Sequence, residues 1–179
     1  MNCRPGRPGR IALAAVLLPL LAAAAPIPSS PDLGKAEGRC RANESGPAFL
    51  VSVNGLKDRT GRLKLEVYPA NDKDFLADDN LLVAAGKTFR RVEVDTPNSS
   101  SPTLCVRVPA AGRYAVSVLH DRDSNRKFGW RVDGIGFASN PKLGLGKPKA
   151  ASASASAGST PTRIDVVMNY QRGLGMRPL

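Results

Sequence analysis

The feature that most constrains the fold of this sequence is a strict alternation of apolar and polar residues with a period of two. In the stretch GRLKLEVYP, Leu63, Leu65 and Val67 alternate with Arg62, Lys64 and Glu66. Such alternation is typical of a β-strand with one face in a core and the other in water. The pattern therefore predicts a strand here, with Leu63, Leu65 and Val67 facing inward.

Further runs with the same period occur along the chain, and turn residues separate them. They are AFLVSVNGL, KTFRRVEVD, TLCVRVP, RYAVSVLHD and TRIDVVMNY. The stretch PANDKDFLADDNLLVAAG breaks the pattern, and within it we expect a short helical turn at residues 74–82. No long helical period occurs after residue 25. Six alternating runs predict an all-β fold, an antiparallel β-sandwich of about 6–7 strands.

The first 25 residues have the character of a targeting segment. MNCRPGRPGR is basic, and the fifteen residues from Ile11 to Ala25 are apolar or proline. As a helix this run would be roughly 22 Å long, shorter than the roughly 30 Å core of a bilayer. We therefore predict a signal peptide at residues 1–25 and an exported protein, periplasmic or secreted, that does not span a membrane.

Composition divides the remaining chain into three parts, the second of which contains a low-complexity loop. Residues 26–46 are rich in Pro, Ser, Gly and charge and are predicted to be a flexible N-terminal segment. Residues 47–171 hold the alternating runs and form the single predicted domain. Within it, residues 147–162 are a low-complexity Ala/Ser stretch without large apolar groups, which predicts a disordered loop. Residues 172–179 are expected to be a C-terminal tail.

Cleavage of the leader removes Cys3 and leaves Cys40 and Cys105. Two cysteines in an oxidising compartment are best explained as one disulfide, although two free thiols are the alternative. Alternation places Cys105 on the outward face of its strand. A bond to Cys40 would therefore hold the N-terminal segment across the outside of the sheet.

The chain is basic, with 26 Lys and Arg against 15 Asp and Glu and a net charge of +11. Most of this excess remains after the three arginines of the leader are removed. A basic surface attracts polyanions, but here the positive residues are scattered and aromatic residues are not interleaved with them. We therefore interpret the charge as solvated surface and expect no nucleic-acid partner.

The stretch HDRDSNRKFGWRVDGIGF contains a candidate metal site. Asp121, Asp123 and Asn125 occupy positions one, three and five of a calcium loop, and Lys127 occupies position seven, where a backbone carbonyl serves. Oxygen ligands spaced two residues apart on a tight loop are what calcium requires. This half of the pattern makes calcium a possible cofactor; otherwise we expect none.

The second half of the stretch departs from the calcium pattern. Position six, which favours Gly, is Arg126, and position twelve, which requires Glu, is Val132 with Asp133 one place later. The alternative is a turn in which Asp and Asn side chains accept hydrogen bonds from backbone amides, with no ion.

Two further groups of residues in this region are candidate sites. Trp130 and Phe137 either cover an open end of the core or, with Arg131, form a partner-binding patch. His120 beside Asp121 suggests a hydrolase-type site at the rim of the sandwich, but such a site also needs a nucleophile or a substrate pocket. A buried, hydrogen-bonded histidine is the alternative.

The order of motifs is similar to that of a known family. It runs from V-x-V-x-G-L and G-x-L-x-L-x-V-Y through G-x-Y-A-V-S-V-x-H-D to G-F-x-x-N and I-D-V-V-M-N-Y. Over residues 48–170 this resembles the exported bacterial family named domain of unknown function 2141. The resemblance implies an extracytoplasmic β-sandwich, transthyretin-like or immunoglobulin-like, and no established activity. The family's loop commonly reads N-G-K-L-D, so the change to NRKFG argues against a metal there.

Taken together, these observations favour an exported, non-enzymatic β-sandwich, monomeric, that binds or supports an unknown component of the cell envelope or of the extracellular space. A calcium-stabilised β domain is the first alternative. A hydrolase-type enzyme that uses His120 and Asp121 is the second.

Overall fold

The structure is a computed structural model that describes residues 1–2 and 26–179. Nearly all of the predicted signal peptide therefore lies outside the described residues. Within the described residues, no helix combines the length and the apolar character needed to cross a bilayer.

The described chain forms ten β-strands, one short α-helix and one 3-10 helix. In chain order the elements are β1 (Ala48–Asn54), β2 (Arg62–Pro69), α1 (Asp79–Ala84), β3 (Arg90–Asp95), β4 (Thr103–Arg107), β5 (Gly112–Asp121), β6 (Gly134–Phe137), the 3-10 helix (Ala150–Ala153), β7 (Ser154–Ala157), β8 (Thr162–Val167), β9 (Asn169–Arg172) and β10 (Gly175–Pro178).

The strands form two packed sheets, which confirms the all-β sandwich. The smaller sheet has the order β4-β1-β8. The larger sheet has seven strands, in the order β10-β9-β6-β5-β2-β3 with β7 paired to β5. The structure has more strands than predicted, and the pairing of β1 with β8 is parallel rather than antiparallel. Because elements of the other sheet lie between β1 and β8 in sequence, the chain can return in the same direction.

The main core lies between the two sheets and follows the alternation of the sequence. Leu63, Leu65 and Val67 on β2 are fully buried, and so are Val116 and Val118 on β5. Burial of each such side chain contributes about 1.5–3 kcal/mol, so these inward faces hold the sheets together. The predicted direction of these side chains is confirmed.

The outer face of the larger sheet is covered rather than wet, which corrects the prediction for β2. Glu66 is only 7% exposed, and an aromatic cluster that includes Tyr68 and Phe75 packs on this face. The burial of Glu66 is tolerated because it accepts hydrogen bonds from Arg91 Nε at 2.8 Å and from the Tyr68 hydroxyl at 2.7 Å.

The last alternating run forms two strands in different sheets, where one strand was predicted. Its first part is β8 of the smaller sheet and its second part is β9 of the larger sheet. Met168 lies at the crossing between them and is fully buried. Val166 and Tyr170 are buried on either side, so the inward period continues across the change of sheet.

The predicted disordered loop at residues 147–162 differs in the structure, where it holds the 3-10 helix and β7. β7 pairs with the first half of β5, which gives its backbone amides and carbonyls their partners. Ala150, Ala153 and Ala157 are at most 4% exposed. Small side chains fit here because the backbones approach closely, which composition does not reveal. The predicted tail at 172–179 likewise differs, since it contains β10.

The N-terminal segment at 26–46, predicted to be flexible, is attached to the edges of both sheets. The Ala36 amide donates to the Arg91 carbonyl of β3 at 2.7 Å. The Cys105 amide of β4 donates to the Gly38 carbonyl at 2.9 Å. Cys40 and Cys105 form a disulfide, with Cα atoms 5.3 Å apart, which confirms the predicted bond. The segment therefore closes the gap between β3 and β4.

Candidate functional site

A cavity of about 340 Å³ lies on the outer face of the larger sheet, on the side away from the smaller sheet. We call it the outer-face pocket. Its floor consists of two rows of side chains that run across β2, β5 and β6. One row is Lys64, Leu119 and Ile135, and the other is Glu66, Ser117 and Phe137.

The walls of the outer-face pocket come from loops and from the end of the chain. Phe128 and Trp130 belong to the loop after β5, and residues 143–148 form a glycine-containing loop opposite them. Leu76 and Met176 complete the apolar lining. Phe128 is 43% exposed although it lines the pocket, so an apolar ligand would remove additional hydrophobic surface from water.

The floor of the outer-face pocket is polar on the β2 side and apolar on the β6 side. Lys64 Nζ lies 3.2 Å from the Arg126 carbonyl oxygen and 3.6 Å from Glu66 Oε1. Glu66 is also bound by Arg91 Nε at 2.8 Å. The buried carboxylate is thus neutralised by two cations of the protein itself.

The structure separates the residues of the predicted partner-binding patch. Trp130 and Phe137 both line the outer-face pocket, with Phe137 4% exposed as part of its floor. Arg131 is exposed and follows Trp130 in sequence, but it is not one of the lining residues. The patch stays a prediction. The lining contributed by residues 143–148 and Met176 was missed, because no periodic pattern marks those residues.

The predicted metal residues form a compact turn in which the protein itself supplies the hydrogen-bond donors. Asp121 is 1% exposed, and its two carboxylate oxygens accept from the amides of Asn125 at 3.1 Å and Arg126 at 2.7 Å. Asp123 Oδ1 accepts from the Asn125 amide at 3.2 Å. The Asn125 side-chain oxygen accepts from the Lys127 amide at 2.7 Å. These contacts are those of the Asx-turn alternative.

Asp133 joins this turn, although it stands one place late for the calcium pattern. Its carboxylate accepts from the Arg122 amide at 2.8 Å and from the Gly129 amide at 2.7 Å. Asp121, Asp123 and Asp133 each present an oxygen within 4.8 Å of the others. Burial, followed by Asp123 and Asp133, raises the pKa of Asp121. Three carboxylates can hold a cation, and calcium binding stays a prediction.

The backbone at position six of the loop has the conformation that favours glycine. Arg126 has a φ of 65°, in the left-handed region, and Ser124 has a φ of 57°. A residue with a Cβ is strained there by about 1 kcal/mol or more. The turn therefore follows the backbone course of a metal loop without the usual residue at its sharpest point.

His120 lies inside the sandwich and is fully buried. Its Nδ1 is 2.6 Å from the Tyr170 hydroxyl oxygen, and its Nε2 is 2.9 Å from the Thr60 carbonyl oxygen. Burial is the main cause that lowers the pKa of His120. Asp121 points to the opposite face of β5, so the two residues of the hydrolase alternative do not face each other. That alternative stays a prediction.

Fold and site together define an all-β sandwich with an apolar pocket on the outer face of its larger sheet. The chain belongs to the bacterial family DUF2141, an uncharacterized protein conserved in bacteria, whose family model matches residues 51–165. The match runs from β1 into β8, so it includes the floor of the outer-face pocket and the whole Asp121–Asp133 turn. The resemblance found in the sequence is thereby confirmed. No curated protein and no solved structure matches the chain.

Proposed function

We propose that this protein is an exported, non-catalytic binding module of the bacterial envelope, and that the outer-face pocket holds an apolar part of its ligand. The observation that carries this proposal is the pocket itself. Its lining combines Trp130, Phe128 and Phe137 with aliphatic side chains of β5 and β6.

The size of the outer-face pocket supports a ligand rather than a packing defect. Ligand sites are commonly about 300–1,000 Å³, with mostly apolar linings and a few polar groups at defined points. A volume of about 340 Å³ lies at the lower end of that range. Lys64 and Glu66 on β2 and Ser117 on β5 supply polar groups in the floor, and Lys147 supplies one in the wall.

Export to the periplasm or outside the cell is the second part of the proposal. It is supported by the basic and apolar leader of the sequence and by the Cys40–Cys105 disulfide. Disulfides persist in oxidising compartments and are rare in the cytosol. Cell fractionation with N-terminal sequencing of the processed chain tests this part; a cytosolic chain that retains Met1 would contradict it.

Binding can be tested with the intrinsic fluorescence of Trp130, the only tryptophan of the sequence. We expect decanol, a neutral apolar probe, to shift the emission of the exported protein in a saturable manner. Ile135→Glu on the floor and Leu143→Glu on the wall should abolish the shift. Leu81→Glu is the matched control, because Leu81 is 62% exposed on α1 and does not line the pocket.

Two outcomes would contradict the pocket as a ligand site. One is the absence of any saturable emission change in the unmodified protein. The other is binding by folded Ile135→Glu and Leu143→Glu variants with the affinity of the Leu81→Glu control. Circular dichroism of each variant establishes that it is folded. Leu143 lies on a surface loop, so its variant is informative even if substitution at Ile135 disturbs β6.

A calcium-stabilised domain is the second candidate function, and one observation favours it. The structure brings Asp133 to Asp121 and Asp123, which supplies a third carboxylate that the spacing in the sequence does not provide. This candidate is independent of the outer-face pocket.

A further inference from the structure

We infer that the ligand of the outer-face pocket is an anionic amphiphile, a single alkyl chain that ends in a carboxylate or phosphate. The chain would occupy the pocket, and the anionic end would lie among the cations at its mouth. This inference rests on the proposed function and adds the chemical class of the ligand to it.

The aliphatic and flexible character of the lining favours an alkyl chain. Leu119 and Ile135 form the apolar half of the floor, and Leu143 and Met176 close the side opposite Trp130. Methionine and leucine side chains adapt to a chain that has no fixed shape. The apolar half offers no hydrogen-bonding side chain that could recognise a sugar or a polar peptide.

The charges inside the outer-face pocket do not favour a cationic ligand. Glu66 is the only carboxylate among its lining residues, and Arg91, Lys64 and the Tyr68 hydroxyl already contact it. A ligand cation would therefore have to displace a buried ion pair in order to reach Glu66. That exchange is costly, because a buried charge that loses its partner is strongly destabilising.

The lining of the outer-face pocket is net positive, because it contains Lys64 and Lys147 and a single carboxylate, Glu66. Lys127 and Arg131 flank the lining residues Phe128 and Trp130 in sequence and are exposed. In the described part of the chain, no acidic side chain forms an ion pair with either of them. Lys147 lines the pocket, and its Nζ contacts only backbone carbonyl oxygens, that of Phe75 at 3.0 Å and that of Asp72 at 3.3 Å.

Asp123, an exposed carboxylate of the same loop, offsets part of this charge, but its hydrogen bonds stay within the turn, with the Asn125 side chain at 2.8 Å and the Asn125 amide at 3.2 Å. The cations nearest to an anionic end group are then Lys147 in the lining and, on the loop that carries Phe128 and Trp130, Lys127 and Arg131. Within the described residues none of these three forms an ion pair with an acidic side chain. The attraction acts across water, so it should weaken as the salt concentration rises.

Three probes with the same alkyl chain test the inference. Decanoate, decylammonium and decanol differ only in their end group, and each is titrated below its micellar concentration while Trp130 emission is recorded. We expect decanoate to bind about tenfold or more tightly than decylammonium, with decanol between them. Added salt should weaken the binding of decanoate and leave that of decanol unchanged.

Charge-reversal variants locate the anionic end. Lys127→Glu combined with Arg131→Glu should weaken decanoate binding about tenfold and leave decanol binding unchanged. The matched control is Lys57→Glu combined with Arg163→Glu, which changes net charge by the same amount at two exposed positions away from the pocket. Equal effects of the two double variants would overturn the inference, because net charge alone would then explain the attraction.

The remaining outcomes separate the inference from the proposed function. Equal affinity for all three probes would overturn the inference that the ligand has an anionic end group, and the pocket would remain a proposed apolar site. If none of the three probes binds, both the anionic ligand and the proposed binding function of the pocket are overturned. Binding to phosphatidylglycerol vesicles without binding of free decanoate overturns the single-chain ligand and indicates a membrane surface instead. Binding of inorganic phosphate as tightly as decanoate also overturns the inference, because the chain would then contribute nothing.

Discussion

The Tyr170 hydroxyl oxygen lies 2.6 Å from His120 Nδ1 in the interior of the sandwich, and the other contacts of the two residues fix the direction of this hydrogen bond. The hydroxyl oxygen accepts a hydrogen bond from the Lys57 amide at 3.0 Å, so the hydroxyl proton is available for a hydrogen bond to His120 Nδ1. His120 Nε2 lies 2.9 Å from the Thr60 carbonyl oxygen, which can only accept. Together with the lowered pKa of His120, these contacts favour a neutral ring that carries its proton on Nε2.

We predict that the protein loses stability as the pH falls below the ordinary histidine value of 6.5, because burial lowers the pKa of His120 in the folded state. In that window the unfolded chain takes up the proton and the folded chain does not, so acid favours unfolding. Asp58, which lies 3.8 Å from Nε2, and Asp133 raise the pKa of His120 and so oppose the effect of burial. Arg122 lowers this pKa, as burial does. Urea denaturation between pH 7.5 and about pH 5 measures the effect.

His120→Gln provides the control for this pH dependence. Glutamine can accept from Tyr170 and does not titrate, so the variant should be less stable at pH 7.5 but should lose less stability on acidification. An unchanged slope in this variant would assign the pH dependence to the carboxylates instead.

We predict that replacement of Cys40 and Cys105 by Ser destabilises the protein by about 4 kcal/mol. The bond spans 65 residues of sequence, so its loss enlarges the unfolded ensemble considerably. Thermal and urea denaturation of the double variant measure the change. Dithiothreitol should lower the melting temperature of the unmodified protein and have no effect on the variant. Equal melting temperatures for the two proteins would show that the N-terminal segment is held by its backbone hydrogen bonds alone.

The sequence predicted the inner face of the larger sheet correctly, and the reason is local. Residues such as Leu63 and Leu65 alternate with polar neighbours, and strand geometry alone sends them to one side. The same rule predicted a wet outer face at Glu66, and there the structure differs. The burial of Glu66 depends on covering residues such as Phe75 and on partners such as Arg91, which are distant in sequence and follow no period.

The candidate sites show the same division between local and distant information. The Asx turn from Asp121 to Lys127 could be predicted, because its hydrogen bonds join residues at most five places apart. The outer-face pocket could not be predicted, because β2, β5, β6, β10 and three loops meet there only in the folded chain. Trp130 and Phe137 were identified as site residues, but a large aromatic residue in a glycine-rich loop does not by itself reveal a cavity.

The carboxylates of Asp121, Asp123 and Asp133 lead to a further prediction. Like charges repel, so Asp123→Asn should lower the raised pKa of Asp121 and stabilise the metal-free protein at pH 7 by about 0.2–1 kcal/mol. Asparagine keeps an oxygen that can accept the Asn125 amide, and the Asn125 side chain, which loses its acceptor on Asp123, is exposed and can bond to water instead. Asp165→Asn, an exposed change on β8, is the matched control. Melting temperatures in a chelator give the result, and a lower value for Asp123→Asn would contradict the repulsion.

The same variant tests calcium. A cation bound by these carboxylates would raise the melting temperature of the unmodified protein as calcium is added, since a ligand of the folded state stabilises it. Asp123→Asn would lose that increase and Asp165→Asn would keep it. If calcium has no effect on any of the three proteins, the calcium-stabilised alternative is ruled out.

Gly136 connects the packing of the two sheets with the outer-face pocket. A Cβ at this position would lie 2.5 Å from Val166 Cγ1 and 2.9 Å from the Val167 carbonyl oxygen, and a backbone carbonyl cannot move aside easily. We therefore predict that Gly136→Ala destabilises the protein by about 1–3 kcal/mol. Gly46→Ala is the control, because a Cβ there would meet no atom within 4 Å and Gly46 does not line the pocket.

The Gly136→Ala variant should also affect the pocket, because its neighbours Ile135 and Phe137 on β6 form part of the floor. A methyl group between the sheets pushes β6 outward, into the space that the ligand would occupy. Decanol titration of Trp130 emission should therefore show weaker binding in Gly136→Ala than in Gly46→Ala, at a temperature where both are folded. Unchanged affinity for decanol together with reduced stability would contradict this prediction. It would mean that the added methyl group is accommodated without a change in the pocket floor.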